Sequence, residues 1–170
     1  LTKLGAGTLD LAGANTYTDQ TTVSNGALLV DGSLAVGSTV YVAGGILGGS
    51  GTINGPVTVD AGGTVVPGNS ALGALIVNNN LTLSFGARAV FRLDTANGPA
   101  TNDSLTVTGT ENITGSMLTV VNVGPVLQAG DSFTLLSRAT AGFTTVNLPA
   151  GYTWANHLAV DGSIQVLEVL

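Results

Sequence analysis

The chain has 170 residues, 44% hydrophobic but only 5% aromatic, so any core must be built from Val, Leu, Ile and Ala. Charged residues make up 8%, against the usual quarter. The net charge is −6, and the four basic residues, Lys3, Arg88, Arg92 and Arg138, are too few to neutralise a nucleic-acid backbone or hold an anionic lipid surface.

The absence of cysteine removes disulfides, thiolate metal sites and Cys nucleophiles. No run approaches the roughly 20 apolar residues of a membrane-spanning helix, so no membrane insertion by this segment is expected. The chain starts at Leu1 and carries no basic region followed by an apolar one, and it reads as a processed mature chain or an excised piece of a longer one.

In chain order, the elements are strands. The chain opens directly on a strand-forming segment. Thr39-Val40-Tyr41-Val42, Pro56-Val57-Thr58-Val59-Asp60, Asn80-Leu81-Thr82-Leu83-Ser84 and Ser104-Leu105-Thr106-Val107-Thr108 then alternate apolar with polar, which turns one set of side chains inward and the other to solvent. No stretch of a dozen residues keeps a helical apolar period free of Gly. Residues 95–103 form a turn-rich loop, and strands resume at 104–108 and 117–123. From Gly130 onward Phe133, Phe143, Tyr152 and Trp154 supply most of the larger aromatics, and the strands at 151–154 and 163–169 read as longer and antiparallel.

A repeated turn joins these strands. Val23-Ser24-Asn25-Gly26, Val42-Ala43-Gly44-Gly45, Val59-Asp60-Ala61-Gly62 and Leu83-Ser84-Phe85-Gly86 each end a strand, turn over two residues and place a glycine. The glycines lie 19, 17 and 24 residues apart. Such irregular spacing near 20 suits the coils of a solenoid, whose strands stack on the next coil about 4.8 Å away. Gly26, Gly45, Gly62 and Gly86 are expected at the corners, where a positive φ costs glycine nothing.

The opening residues, from Leu1-Thr2-Lys3-Leu4-Gly5-Ala6-Gly7-Thr8-Leu9-Asp10-Leu11 through Gly13-Ala14-Asn15-Thr16-Tyr17-Thr18 to Thr21-Thr22-Val23 and Gly26-Ala27-Leu28, resemble the autotransporter-associated β-strand repeat. Asp19-Gln20 stands where that family usually has Gly-Gly, which makes the corner there less tight. Gly62-Gly63-Thr64-Val65-Val66-Pro67-Gly68-Asn69-Ser70 and Ala129-Gly130-Asp131-Ser132-Phe133-Thr134-Leu135-Leu136 resemble the C-terminal part of such passengers. The resemblance implies a right-handed parallel β-helix, bacterial secretion and surface display. It does not imply one activity, since passengers include adhesins, enzymes and plain stalks.

Candidate chemistry is sparse. His157 is the only histidine, and no Gly-x-Ser-x-Gly elbow accompanies it, so an exposed loop histidine is favoured over a Ser-His-Asp arrangement. Asp10, Asp31 and Asp60 read as solvated corner residues rather than a carboxylate pair for sugar cleavage. Gly48-Gly49-Ser50-Gly51-Thr52-Ile53 resembles a calcium nonapeptide but has Ile53 where the ligand Asp belongs. The loop carrying Asp94, Asn97, Asn102 and Asp103 has the oxygens for calcium, against the plainer reading of an Asx-rich turn. Tyr41, flanked by Val40 and Val42, is expected to point outward, and a sugar platform there would need further aromatics.

The expectation is therefore an all-β chain, with a right-handed parallel β-helix of roughly 20-residue coils over 1–125 and a β-rich C-terminal cap over 126–170. The role expected is a non-catalytic, extracellular or cell-surface structural module without cofactor. Thr8, Leu9, Asp10, Leu11 and Ala12 are the segment expected to pair with another copy of the chain head to tail, giving filaments. Adhesion through other surface proteins or a glycan is the alternative.

Overall fold

The period-2 pattern becomes three stacked sheets. The computed structural model describes residues 1–96 and 101–170, and every regular element among them is a β-strand. Face 1 stacks Thr2–Lys3, Thr21–Val23, Val40–Val42, Val57–Val59, Leu81–Leu83 and Glu111–Ile113. Face 2 stacks Thr8–Asp10, Ala27–Leu29, Ile46–Gly49, Thr64–Pro67, Arg88–Asp94, Ser116–Asn122 and Phe143–Asn147. Face 3 stacks Ala14–Asn15, Ser33–Leu34, Thr52–Ile53, Ala74–Val77 and Ser104–Val107. Apart from Thr101–Asn102, which returns antiparallel onto the end of Arg88–Asp94, successive strands of the coils lie on different faces, and each pairs in parallel with its counterpart one coil on. This is a parallel β-helix.

Register turns like onto like. Val40, Val57 and Leu81 pair in succession on face 1, and Leu28, Leu47, Val65, Ala89 and Leu118 on face 2, all of them buried. The residues between them face out, so face 1 presents Thr22, Tyr41, Thr58, Thr82 and Asn112 in one row. Each coil leaves its apolar face half covered, and stacking the next coil buries it. A fully buried aliphatic side chain is worth about 1.5–3 kcal/mol relative to exposure.

The corner between faces 1 and 2 carries a column of glycines. The Gly62 N–H donates to Gly86 O at 3.4 Å, Gly86 to Gly115 O at 3.1 Å and Gly115 to Gly142 O at 3.1 Å. Their φ values are +87°, +81°, +70° and +108°, a region side chains rarely enter. Gly26 shares the positive φ, but Gly45 does not. Register sets Ala27 against Ile46, so Gly45 stacks on Gly26, and a Cβ there would lie 2.7 Å from Val23 Cγ1 and 2.8 Å from Gly26 O. Gly45 is required for close coil approach, not for a left-handed turn.

At the C-terminal end the coil gives way to an antiparallel sheet of Ser132–Thr134, Ser163–Val169 and Tyr152–His157. Phe133, Leu135, Leu136, Leu158, Ile164 and Val166 join the core there, and Tyr152 meets Trp154 edge to face at 5.8 Å. The solenoid and this cap interlock. Phe143–Asn147 pairs in parallel with Ser116–Asn122, and Leu136 bridges Leu105, so parallel pairing runs on past residue 125.

Candidate functional site

Polar side chains concentrate at the corners, where strands end and backbone groups lose their ladder partners. The first corner is held by Lys3. Its side chain is almost fully buried, and its Nζ donates to Gly5 O and, at 3.1 Å, to Asn25 O one coil on. Asn15 Nδ2 donates to Gly13 O at 2.8 Å and to Ser33 O of the next coil at 3.2 Å. The Tyr17 hydroxyl lies 3.0 Å from Thr21 Oγ1, which lies 3.3 Å from Ser38 Oγ.

A larger clasp joins faces 2 and 3. Asp103 is fully buried, and its carboxylate accepts from Arg92 Nε at 2.6 Å, Arg92 Nη2 at 2.9 Å, the Arg92 N–H at 3.0 Å and the Gly73 N–H at 2.9 Å. Arg92 also donates to Asn69 O at 2.9 Å and Ala71 O at 2.7 Å. Asn69 Nδ2 in turn donates to Asp31, which accepts the Ser50 N–H. The chain of contacts therefore crosses four coils. A guanidinium matches a carboxylate bidentately, and the carbonyls use its remaining donors.

This clasp claims a residue weighed above for calcium. Both Asp103 oxygens face Arg92, and Asn102 turns its amide nitrogen to Asp103 O and Thr134 O. Asp94 Oδ1 accepts the Ala96 N–H, and Asn97 lies outside the described residues. Among the described residues no three of His, Cys, Asp and Glu gather as a metal-binding group.

His157 ends a cap strand opposite Ser163, with Asp161 close by. The Ser163 hydroxyl donates to Asp161 Oδ1 directly at 2.6 Å, and the Ser163 N–H does so at 3.0 Å. These bonds hold the Asp161 carboxyl below its ordinary range, the Ser163 hydroxyl most of all. A nucleophilic serine needs the imidazole between it and the acid. Here the serine reaches the acid without it, which makes the group a turn.

Tyr41 stands half exposed on face 1, and its hydroxyl donates to Asp60 Oδ2 at 2.5 Å, while Ser84 Oγ donates to Asp60 Oδ1 at 2.8 Å. The Tyr41 hydroxyl, then Ser84, hold the Asp60 carboxyl below its ordinary range, and Asp60 raises Tyr41. Near the cap, Glu111 Oε2 accepts from Thr140 Oγ1 at 2.5 Å, and Arg138 Nε lies 3.7 Å from Glu111 Oε1. Spacing along the chain reveals neither this pair nor Arg92–Asp103, whose partners are 27 and 11 residues apart; coil stacking joins the first, and the antiparallel return of Thr101–Asn102 onto Arg88–Asp94 joins the second.

The strand Thr8–Asp10 pairs on one side with Ala27–Leu29, and Leu11 N–H continues the ladder to Leu29 O at 2.8 Å. Thr8 and Asp10 are exposed, and Leu9 and Leu11 lean on the core. Among the described residues no strand covers the opposite edge.

Residues 1–30 match the family model of the passenger-associated-transport-repeat. The chain thus opens on an autotransporter passenger-type repeat, which occupies the first coil and continues through Ala27–Leu29 of the second. No curated protein matches the chain. Within the passenger-type repeat Lys3, Asn15 and Tyr17 each hold a corner or tie one coil to the next. Its conspicuous polar side chains hold the coil together.

Proposed function

We propose that the chain is a non-catalytic structural section of a β-solenoid displayed at a bacterial surface, and that it extends by adding coils end to end. The observation that carries this reading is the use of polar groups. The acid–base pairs of the structure are spent on corners and coil contacts, and the passenger-type repeat supplies such contacts from its first residues. A rod built this way is stiff and resists proteases, because few backbone groups leave the ladders.

The edge of Thr8, Leu9, Asp10, Leu11 and Ala12 receives a strand of another copy, backbone to backbone, and repetition without closure gives a filament. Electron microscopy and sedimentation of the purified chain test this. Filaments that vanish in a Leu9→Pro variant support it, and monomers at every concentration end it. The absence of catalysis is tested by incubating the chain with polysaccharides. Release of reducing ends or unsaturated sugars would overturn that part.

A second reading, adhesion to a glycan, draws on Tyr41. The ring stands on face 1 amid the hydroxyls and amide of Thr22, Thr58, Thr82 and Asn112. Glycan-array binding lost in Tyr41→Ala but kept in Tyr41→Phe would favour it, since the phenyl ring stacks without the hydroxyl.

A further inference from the structure

Asn25-Gly26 and Asn54-Gly55 both fall at turns between strands, while Asn97-Gly98 lies outside the described residues. Such a pair carries a reaction of its own. The glycine has no side chain to shield its N–H from the asparagine side-chain carbon, and its backbone is free to pucker. The two turns treat that reaction in opposite ways.

Asn25 is exposed, and its side chain folds forward along the chain, so that the Gly26 N–H donates to Asn25 Oδ1 at 2.7 Å. Cγ lies one C=O bond, about 1.2 Å, behind that oxygen. Among the described residues Asn25 Nδ2 has no hydrogen-bond partner, so it is free to leave. The oxygen of the same peptide bond, Asn25 O, accepts from Lys3 Nζ at 3.1 Å. Removing the Gly26 proton shifts charge onto that oxygen, where a nearly buried ammonium stabilises it. At the other turn Asn54 Nδ2 donates to Leu34 O at 2.7 Å and Oδ1 accepts from Asn78 Nδ2 at 3.0 Å, which ties the side chain to both neighbouring coils. Gly55 is buried, and a Cβ there would lie 2.0 Å from Ser38 O, so its backbone has no room to pucker. Asn79 repeats the contact of Asn25 by accepting the Asn80 N–H at 2.9 Å, but its Nδ2 is held by Asn54 O at 3.1 Å and the next residue carries a side chain.

We propose that Asn25-Gly26 is a site of spontaneous covalent modification, at which the folded chain converts Asn25 to aspartate and β-linked isoaspartate. Water or hydroxide takes the Gly26 N–H proton, and the nitrogen bonds to Asn25 Cγ. The Cγ–Nδ2 bond breaks as Nδ2 takes up a proton and leaves as ammonia. Water then opens the five-membered imide. Opening at Cγ gives aspartate, and opening at the Asn25 main-chain carbonyl gives isoaspartate. Either product adds one negative charge at the corner that holds Lys3. The isoaspartate also lengthens the backbone by one carbon just ahead of Gly26, whose carbonyl takes the Ile46 N–H of the next coil at 2.9 Å.

Peptide mapping by mass spectrometry tests this on the folded chain in mildly alkaline buffer, beside the same chain unfolded in urea. Conversion is read at each asparagine as the mass change of NH2 replaced by OH. In urea the two pairs convert at similar rates. In the folded chain Asn25 converts at least as fast as in urea, and Asn54 converts about tenfold or more slowly, because its turn must open first. Lys3→Met, shown to be folded by circular dichroism, slows Asn25 by about tenfold, the effect of one charge-assisted hydrogen bond. Equal rates at Asn25 and Asn54 in the folded chain, or an Asn25 that reacts more slowly folded than unfolded, overturn the proposal. A folded Lys3→Met chain that converts as fast as the wild type, or faster, overturns the part assigned to Lys3.

Discussion

Asp103 shows how much one side chain carries when it is buried opposite a cation. It satisfies two guanidinium donors and two backbone N–H groups at once. Asp103→Ala strands Arg92 and both amides, and a cost of about 3–5 kcal/mol in urea unfolding is expected, as for other broken buried pairs. Lys3→Met removes donors from two carbonyls at the first corner, and about 1–3 kcal/mol is expected from the same measurement. Gly86→Ala forces a side chain into a φ of +81° and costs about 1–2 kcal/mol. That glycine was legible as a corner in the four-residue turn pattern. Gly45 had the same pattern without the same conformation, because its constraint is the neighbouring coil, which local sequence does not describe.

The strands are short, and each depends on its neighbours for both pairing and burial. Face 1 adds a hydroxyl–carboxylate ladder through Tyr41, Asp60 and Ser84. Because Asp60 is held below its ordinary value of 3.8, its contribution is complete above that pH and is lost as pH falls through the depressed value. Tyr41, raised above 10.0, contributes fully below that pH and loses its contribution as pH rises through the raised value. Tyr41→Phe is therefore expected to reduce the loss of stability in acid, measured as thermal midpoint from pH 2 to 7. A variant with the full wild-type acid dependence would show that the ladder is energetically silent. The alternation at Val40-Tyr41-Val42 announced the outward tyrosine, but its partner Asp60 lies 19 residues on and was visible only as one of several corner aspartates.

Across the whole molecule, coils stack until the antiparallel cap covers the last of them. Phe133, Ile164 and Val166 are buried in that cap. A chain truncated after Val123 would expose the apolar end of the stack, and its expected behaviour is aggregation and dye binding at concentrations where the full chain is clear. A truncated chain that stays soluble would mean the coils are self-sufficient.

Composition and period had already determined that the chain is a stack of thin β layers with small aliphatic interiors, because alternation and glycine-marked turns are local properties. The motif of the first thirty residues likewise carried its passenger-type character in consecutive side chains. Tertiary structure alone decided which polar groups meet, that Asp103 serves Arg92, and that Ser163 bypasses His157. The Asp31–Asn69 and Tyr41–Asp60 contacts depend on register between coils, which irregular coil lengths hide until the strands are laid on one another, and the Arg92–Asp103 contact depends on where the chain turns back on itself.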